Sequence, residues 1–149
     1  MWTDAIFAYL HFTALFVFFA FLSIETWLLR TPVDGARAAE LALADRWYWG
    51  SFAAVLVTGL ARVFFGAKGV AFLVHGYSLP VKLVLVAAVA FLSLAPRAAF
   101  RRWSREAAAN PQWRASDPER LRARGRLMLV VHIASLIPLL AVVMARGLW

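Results

Sequence analysis

The sequence predicts an all-α integral membrane protein, a single domain built as a four-transmembrane-helix bundle, and three observations predict it. Four apolar stretches each reach the ~17–25 residues that a helix rising ~1.5 Å per residue needs to cross ~30 Å of hydrocarbon. Hydrophobic residues make up 63% of the 149 positions, against roughly 45–50% in a water-soluble domain. Lys and Arg are divided very unequally between the two ends of those stretches, as they are between the two sides of a membrane.

The first span is expected over residues 5–29. The chain begins Met1-Trp2-Thr3-Asp4 without Lys or Arg, and this apolar run is about twice the length of a signal-peptide core. It ends in Trp27-Leu28-Leu29-Arg30 rather than in small residues, so it is expected to remain in the mature protein. Next come a Pro32-Val33-Asp34-Gly35 turn and Ala- and Leu-rich sequence, which predict a short helix feeding the second span, 47–65. A short Gly-containing link leads to the third span, 79–99. Residues 101–126 are the one strongly hydrophilic region and are expected to form a basic cytoplasmic loop. Asn110-Pro111 and Asp117-Pro118 break it, and Ser116 or Asp117 can cap a new helix there. The fourth span follows over 127–145. None of the four alternates with a period of two, which disfavours an outer-membrane barrel.

The connections after the first and third spans carry Arg30, Arg37, Arg46, Arg97 and the eight arginines between Arg101 and Arg126, which makes twelve. The opposite side carries three, Arg62, Lys68 and Arg146, with Lys82 inside the membrane. Twelve against three puts the Arg-rich side in the cytoplasm and both termini outside. Trp2, Trp27, Trp47, Trp49, Trp103 and Trp149 fall at or near predicted helix ends, where their rings are expected to anchor the bundle at the headgroup layer.

With no cysteine, the chain has no thiolate nucleophile, disulfide, iron–sulfur cluster or Cys-bound zinc. It also lacks a Gly-rich phosphate or dinucleotide loop, a His-Glu-x-x-His and a Gly-x-Ser-x-Gly. The net charge of +8 comes with no nucleic-acid-binding motif, so the Arg101–Arg126 region reads as a surface for the bilayer's anionic lipid headgroups and no nucleic-acid partner is expected.

Chemistry is best sought among ionisable side chains at membrane depth, each of which costs at least ~2.5–3.5 kcal/mol at a helix centre unless paired or hydrated. They are His11 and Glu25 on the first helix, Arg46 and Arg62 at the ends of the second, Lys82 on the third and His132 on the fourth. Helical spacing groups them into stripes expected to face inward: His11, Ala14, Phe18, Leu22, Glu25; Arg46, Gly50, Ala54, Thr58, Arg62; Lys82, Val86, Val89, Ser93, Arg97; and His132, Ser135, Leu139, Arg146. By depth they form an outer layer of His11, Thr58, Arg62 and Lys82, which His75 can join, and an inner layer of Glu25, Arg46, Arg97 and His132. An offset of roughly 10 Å makes His11 and His132 a poor pair for one iron. Each residue also has a plainer role: His11 and His132 as hydrogen-bond partners, Lys82 snorkelling to headgroups, Glu25 and Arg46 as an ion pair or topology anchors.

Over nearly its whole length the chain resembles a family of small four-helix bacterial inner-membrane proteins grouped as predicted membrane proteins. The resemblance rests on Phe7-Ala8-Tyr9-Leu10-His11-Phe12, Ala44-Asp45-Arg46, Thr58-Gly59-Leu60-Ala61-Arg62-Val63-Phe64, Lys82-Leu83 and Met144-Ala145-Arg146-Gly147. More distantly it is similar to the HemJ-type protoporphyrinogen oxidases, four-helix b-haem proteins: His11 matches their early His, Lys82 their Lys at the start of the third helix, Arg46 an Arg before the second, and Gly59-Leu60 a Gly-Leu near its exit. That likeness implies haem b as cofactor, with His11 as iron ligand, Lys82 as an essential catalytic partner toward a propionate or porphyrin carboxylate, and Arg46 as a further cofactor contact; Arg62, which shares the aqueous rim with Lys82, is expected as a second cation for the porphyrin carboxylates. Leu22-Ser23-Ile24-Glu25-Thr26 stands where those oxidases have a Tyr-Leu-Pro-Arg-type run, and their Glu-x-Pro element in the fourth helix is absent, departures that bear on the oxidase reaction more than on the cofactor.

The leading expectation is therefore a b-haem redox protein acting on porphyrin or in electron transfer. A cofactor-free interaction or assembly protein, homo-oligomers included, is the alternative, resting on Gly50, Ala54 and Thr58 as a close-packing stripe. A proton-coupled transporter using His11 and Lys82 is a third reading, disfavoured because the chain shows no repeated halves.

Overall fold

The computed structural model describes residues 2–65 and 78–146, and these form four helices: α1 (Trp2–Leu28), α2 (Gly35–Phe65), α3 (Ser78–Ala109) and α4 (Asp117–Ala145). His75, Lys68 and Trp149 lie outside the described residues. Three helices contain stretches long and apolar enough to cross a membrane, Trp2–Leu28, Leu79–Ala109 and Asp117–Val143. In α2 the apolar run is diluted by Trp47-Tyr48-Trp49-Gly50-Ser51 at one end and Arg62 at the other.

Local chemistry explains where each helix stops. At the end of α1 the Arg30 N–H donates to the Trp27 carbonyl at 3.0 Å, and Pro32 then prevents continuation. Asp34 caps α2, its Oδ1 accepting from the Arg37 backbone N–H at 2.9 Å. No Gly or Pro separates residues 36–46 from the span that follows, so the expected short feeder helix and second span are one continuous helix. The expected loop over 101–126 shrinks to residues 110–116, because the Arg-, Glu-, Ala- and Leu-rich sequence on either side favours helix and only Asn110-Pro111 breaks it. Arg102 ties the two extensions together, reaching Glu119 at 2.6 Å.

The helices pair as two hairpins. α1 lies along α2 and α3 along α4, the hairpins join chiefly through α2 and α3, and α1 touches α4 only slightly. Every buried side chain among the described residues falls between 14 and 52 or between 89 and 134, so packing is tight at the Arg-rich end and loose at the His11 end. At the tight end the connections are laced together. The Ala115 N–H donates to the Val33 carbonyl at 3.0 Å, and the Arg120 guanidinium donates to Leu29 O at 2.8 Å, satisfying a carbonyl left over at the end of α1.

Which faces are buried corrects half of the expected stripes. Ala14, Phe18, Leu22 and Glu25 are the buried face of α1, and Val89 and Ser93 are buried on α3, as the spacing predicts. On α2 the buried series is Ala38, Leu41, Ala44, Asp45, Tyr48, Ser51 and Phe52, while Arg46, Gly50 and Ala54 are exposed. Tyr48 and Phe52 decide this rotation: their rings lie 5.0 and 5.8 Å from Phe18, and bring far more contact area than Gly50 and Ala54 can. On α4 the buried face is Ala123, Leu127, Val130 and Ala134, and His132, Ser135, Leu139 and Arg146 point away from the bundle. Trp103 likewise is no headgroup anchor. It is fully buried, 5.7 Å from the Phe100 ring and 6.3 Å from Trp113, at the centre of the cap formed by the helical extensions.

Candidate functional site

Two polar layers survive this correction, one at each end of the bundle. At the His11 end, His11 Nδ1 lies 2.9 Å from Thr58 Oγ1. The Thr58 hydroxyl donates to the Ala54 carbonyl at 2.6 Å, so toward the ring it can only accept. The imidazole proton therefore sits on Nδ1, with the Val55 carbonyl a further acceptor in reach, and Nε2 keeps its lone pair. Gly59 lets the ring sit this close to α2, since a Cβ there would stand 3.2 Å from His11 Cε1. Thr58→Val should thus cost about 1 kcal/mol of stability, while Thr58→Ser, which keeps the acceptor, should cost less than half as much. Denaturant unfolding in detergent reads the difference, and equal losses would mean that the hydrogen bond contributes nothing.

Arg62 and Lys82 complete this layer, both acting electrostatically on His11. The Arg62 guanidinium lies over the Phe12 ring at 5.8 Å, and its Nε is buried with no hydrogen-bond partner among the described residues. Carboxylates are scarce here. Residues 5–24, 46–105 and 120–149 contain no Asp or Glu, which leaves Asp4, about 10 Å from His11 along α1, as the one acidic side chain at this end.

The second layer lies about 21 Å away by helical rise, beyond the Phe18–Tyr48–Phe52 aromatic cluster. Glu25 is 1% exposed and its Oε1 has no hydrogen-bond partner among the described residues. The expected pair with Arg46 is not formed, because Arg46 faces outward; Arg97 instead lies 3.9 Å from the buried Asp45 and stacks 4.7 Å over Trp49. Burial holds the Asp45 carboxyl, which precedes the expected second span, above the usual carboxylate range against the pull of Arg97 and Arg101. Ser93 donates to the Val89 carbonyl, so the Tyr48 hydroxyl donates to Ser93 at 2.6 Å. Asp45 and Tyr48 were missed as members of this layer. The signal for them was the series Leu41, Ala44, Asp45, Tyr48, Phe52, which lies on a different face from Arg46, Gly50 and Ala54. His132 joins neither layer, its Nδ1–H donating to Met128 O at 2.6 Å on its own helix.

The sequence profile of the family described as Predicted membrane protein (DUF2214) matches residues 3–148. The chain belongs to that family. No curated protein and no solved structure matches it. The DUF2214 chain is a membrane protein of all-helical architecture, and its His11 layer, which brings the quoted Phe7–Phe12, Thr58–Phe64 and Lys82-Leu83 segments together, joins three of the five segments on which the family likeness rests. Among the described residues no three His, Asp or Glu side chains are grouped to hold a metal ion.

Proposed function

We propose that this DUF2214 protein is a bacterial inner-membrane protein that binds haem b through His11 and serves redox chemistry on it. One observation carries the reading: a tautomer-fixed imidazole with its Nε2 lone pair unprotonated, beside the half-buried Arg62, whose Nε has no hydrogen-bond partner among the described residues, in a layer almost without carboxylates. His11 would hold the haem iron through Nε2, and the bond from Nδ1–H to Thr58 would orient the ring for it. Arg62 and Lys82 suit two propionates. At this end the side chains of all four helices are half-buried or exposed, which suits a bound group that would cover them. In this reading α2 completes the bundle as a fourth span over 47–65, since it lies along both α1 and α3, and the Arg-rich end faces the cytoplasm. Lys82 then contacts the cofactor, as the catalytic expectation for it requires. Arg46 is exposed and at the opposite end, and takes no part.

Protein purified in mild detergent and titrated with haem is expected to show a Soret band with sharp reduced bands. His11→Ala should abolish it, and Arg62→Gln and Lys82→Gln should each weaken haem binding roughly tenfold, the worth of one charge-assisted contact. A bare protein spectrum that persists after haem addition, or an unchanged Soret band in His11→Ala, removes the proposal. A second reading, docking of another membrane helix, is favoured by the outward-facing Gly50, where a Cβ would meet nothing within 4 Å, and by exposed Ala54. Ala54→Leu would then abolish co-purification of a partner without touching the spectrum.

A further inference from the structure

At the Arg-rich end a groove of about 190 Å³ opens between α3 and α4, independent of the His11 layer. Its floor is made of small side chains, Ala95, Ala99 and Ala123 with Pro96. One rim is closed by charge, since Arg102 is held by Glu119 at 2.6 Å and Glu106 at 3.6 Å. The other rim carries Arg122 and Arg126, one turn apart on α4, both exposed and neither in an ion pair among the described residues. Glu119 is the one carboxylate lining the groove, and Arg102 already neutralises it.

The position of the groove says what kind of anion it fits. No charged residue occurs between Lys82 and Arg97 on α3 or between Arg126 and Arg146 on α4, so Ala95 and Arg126 mark where the apolar run of each helix meets its charged end. That is the headgroup level of a bilayer. One turn deeper on the same line of α3 stands Phe91, 74% exposed, and on α4 Leu129, 48% exposed, an apolar track leading away from the two arginines. A soluble phosphate would use the cations and leave the track bare; a phospholipid uses both.

We propose that this groove is a binding site for one anionic phospholipid, its phosphate held by Arg122 and Arg126 and one acyl chain lying along Phe91 and Leu129. Basic pockets between membrane helices bind lipid headgroups by this combination of charge and position. The test is native mass spectrometry of the detergent-solubilised protein, with phosphatidylglycerol and phosphatidylcholine of matched acyl chains as probes. One phosphatidylglycerol is expected to be retained in preference to phosphatidylcholine. Arg122→Gln/Arg126→Gln should lower that retention roughly thirtyfold, from a contribution of about fivefold per arginine. Arg105→Gln/Arg114→Gln removes the same charge from exposed positions outside the groove and should change it less than about twofold. Equal loss in both double variants would show diffuse attraction to a basic surface and overturn the site. So would displacement of the lipid by millimolar glycerol phosphate, which would make it a site for a soluble anion, or equal retention of the two lipids.

Discussion

Trp103→Ala is expected to lower the unfolding free energy in detergent by about 3–5 kcal/mol, the usual cost of emptying a large aromatic site in a core. Trp103 is fully buried, its ring neighbours Phe100 and Trp113 are rigid aromatics, and Trp113 is fixed by donating from Nε1 to Glu106 at 3.0 Å. The cavity would open where the α3 and α4 extensions meet both connections, so the loss should spread to the Ala115–Val33 and Arg120–Leu29 contacts. Trp103 Nε1 is buried without a hydrogen-bond partner among the described residues, so Trp103→Phe forfeits area but no bond and should cost markedly less. Trp27→Ala, at a ring 66% exposed, should change stability by less than about 0.5 kcal/mol in detergent. A Trp103→Ala loss no larger than that of Trp27→Ala would show that the cap does not stabilise the bundle.

Trp103 also marks the boundary of what the sequence makes legible. Length and hydropathy are one-dimensional quantities, and they suffice for an all-helical membrane protein with spans near 5–29, 79–99 and 127–145. They do not say that a charged segment next to a span continues as helix. Residues 101–109 and 117–126 read as loop because their arginines were counted for topology, while their Ala, Leu, Glu and Arg content is that of a good helix. Facing is harder still. On α1 and α3 the polar stripe and the bulky stripe coincide, so Phe18 and Leu22 lie between His11 and Glu25, and Val86 and Val89 between Lys82 and Arg97. On α2 they diverge by two residues, close to opposite faces of a helix, and the aromatic series of Tyr48 and Phe52 wins the interior from the small-residue series of Gly50 and Ala54. On α4 polarity misled altogether: His132 and Ser135 satisfy themselves on carbonyls of their own helix, at Met128 and Val131, and need no interior at all. The His11 layer was legible because His11, Thr58, Arg62 and Lys82 lie at one predicted depth. The Thr58 hydroxyl that fixes the imidazole tautomer requires coordinates.

Arg97→Met is the second large expected effect, and it turns on how the Asp45 layer is neutralised. Asp45 is 4% exposed, and Arg97 lies 3.9 Å from its carboxylate. Removing one partner of a buried pair strands the other, at roughly 3–5 kcal/mol. Because Arg97 is itself 30% exposed and the contact is long, about 3 kcal/mol is expected here, measured by denaturant unfolding at neutral pH. Asp45→Asn removes the buried member instead and leaves its partner at the surface, so it should cost only about 1 kcal/mol, and Asp45→Asn in the Arg97→Met background should restore most of the loss. Glu25→Gln should lie within about 0.5 kcal/mol of the parent, because Glu25 Oε1 accepts no bond that the substitution would break. The sign with pH follows from Asp45. Its folded-state affinity for a proton is already raised by burial, and without Arg97 it rises further, so the native state takes up a proton before the unfolded chain does. The penalty of Arg97→Met should therefore be fully developed above the folded-state range of Asp45 and shrink as pH falls through it. A penalty that is the same at acidic and neutral pH, or that persists in Arg97→Met/Asp45→Asn, would mean that Arg97 acts through its 4.7 Å stacking on Trp49 and not through charge.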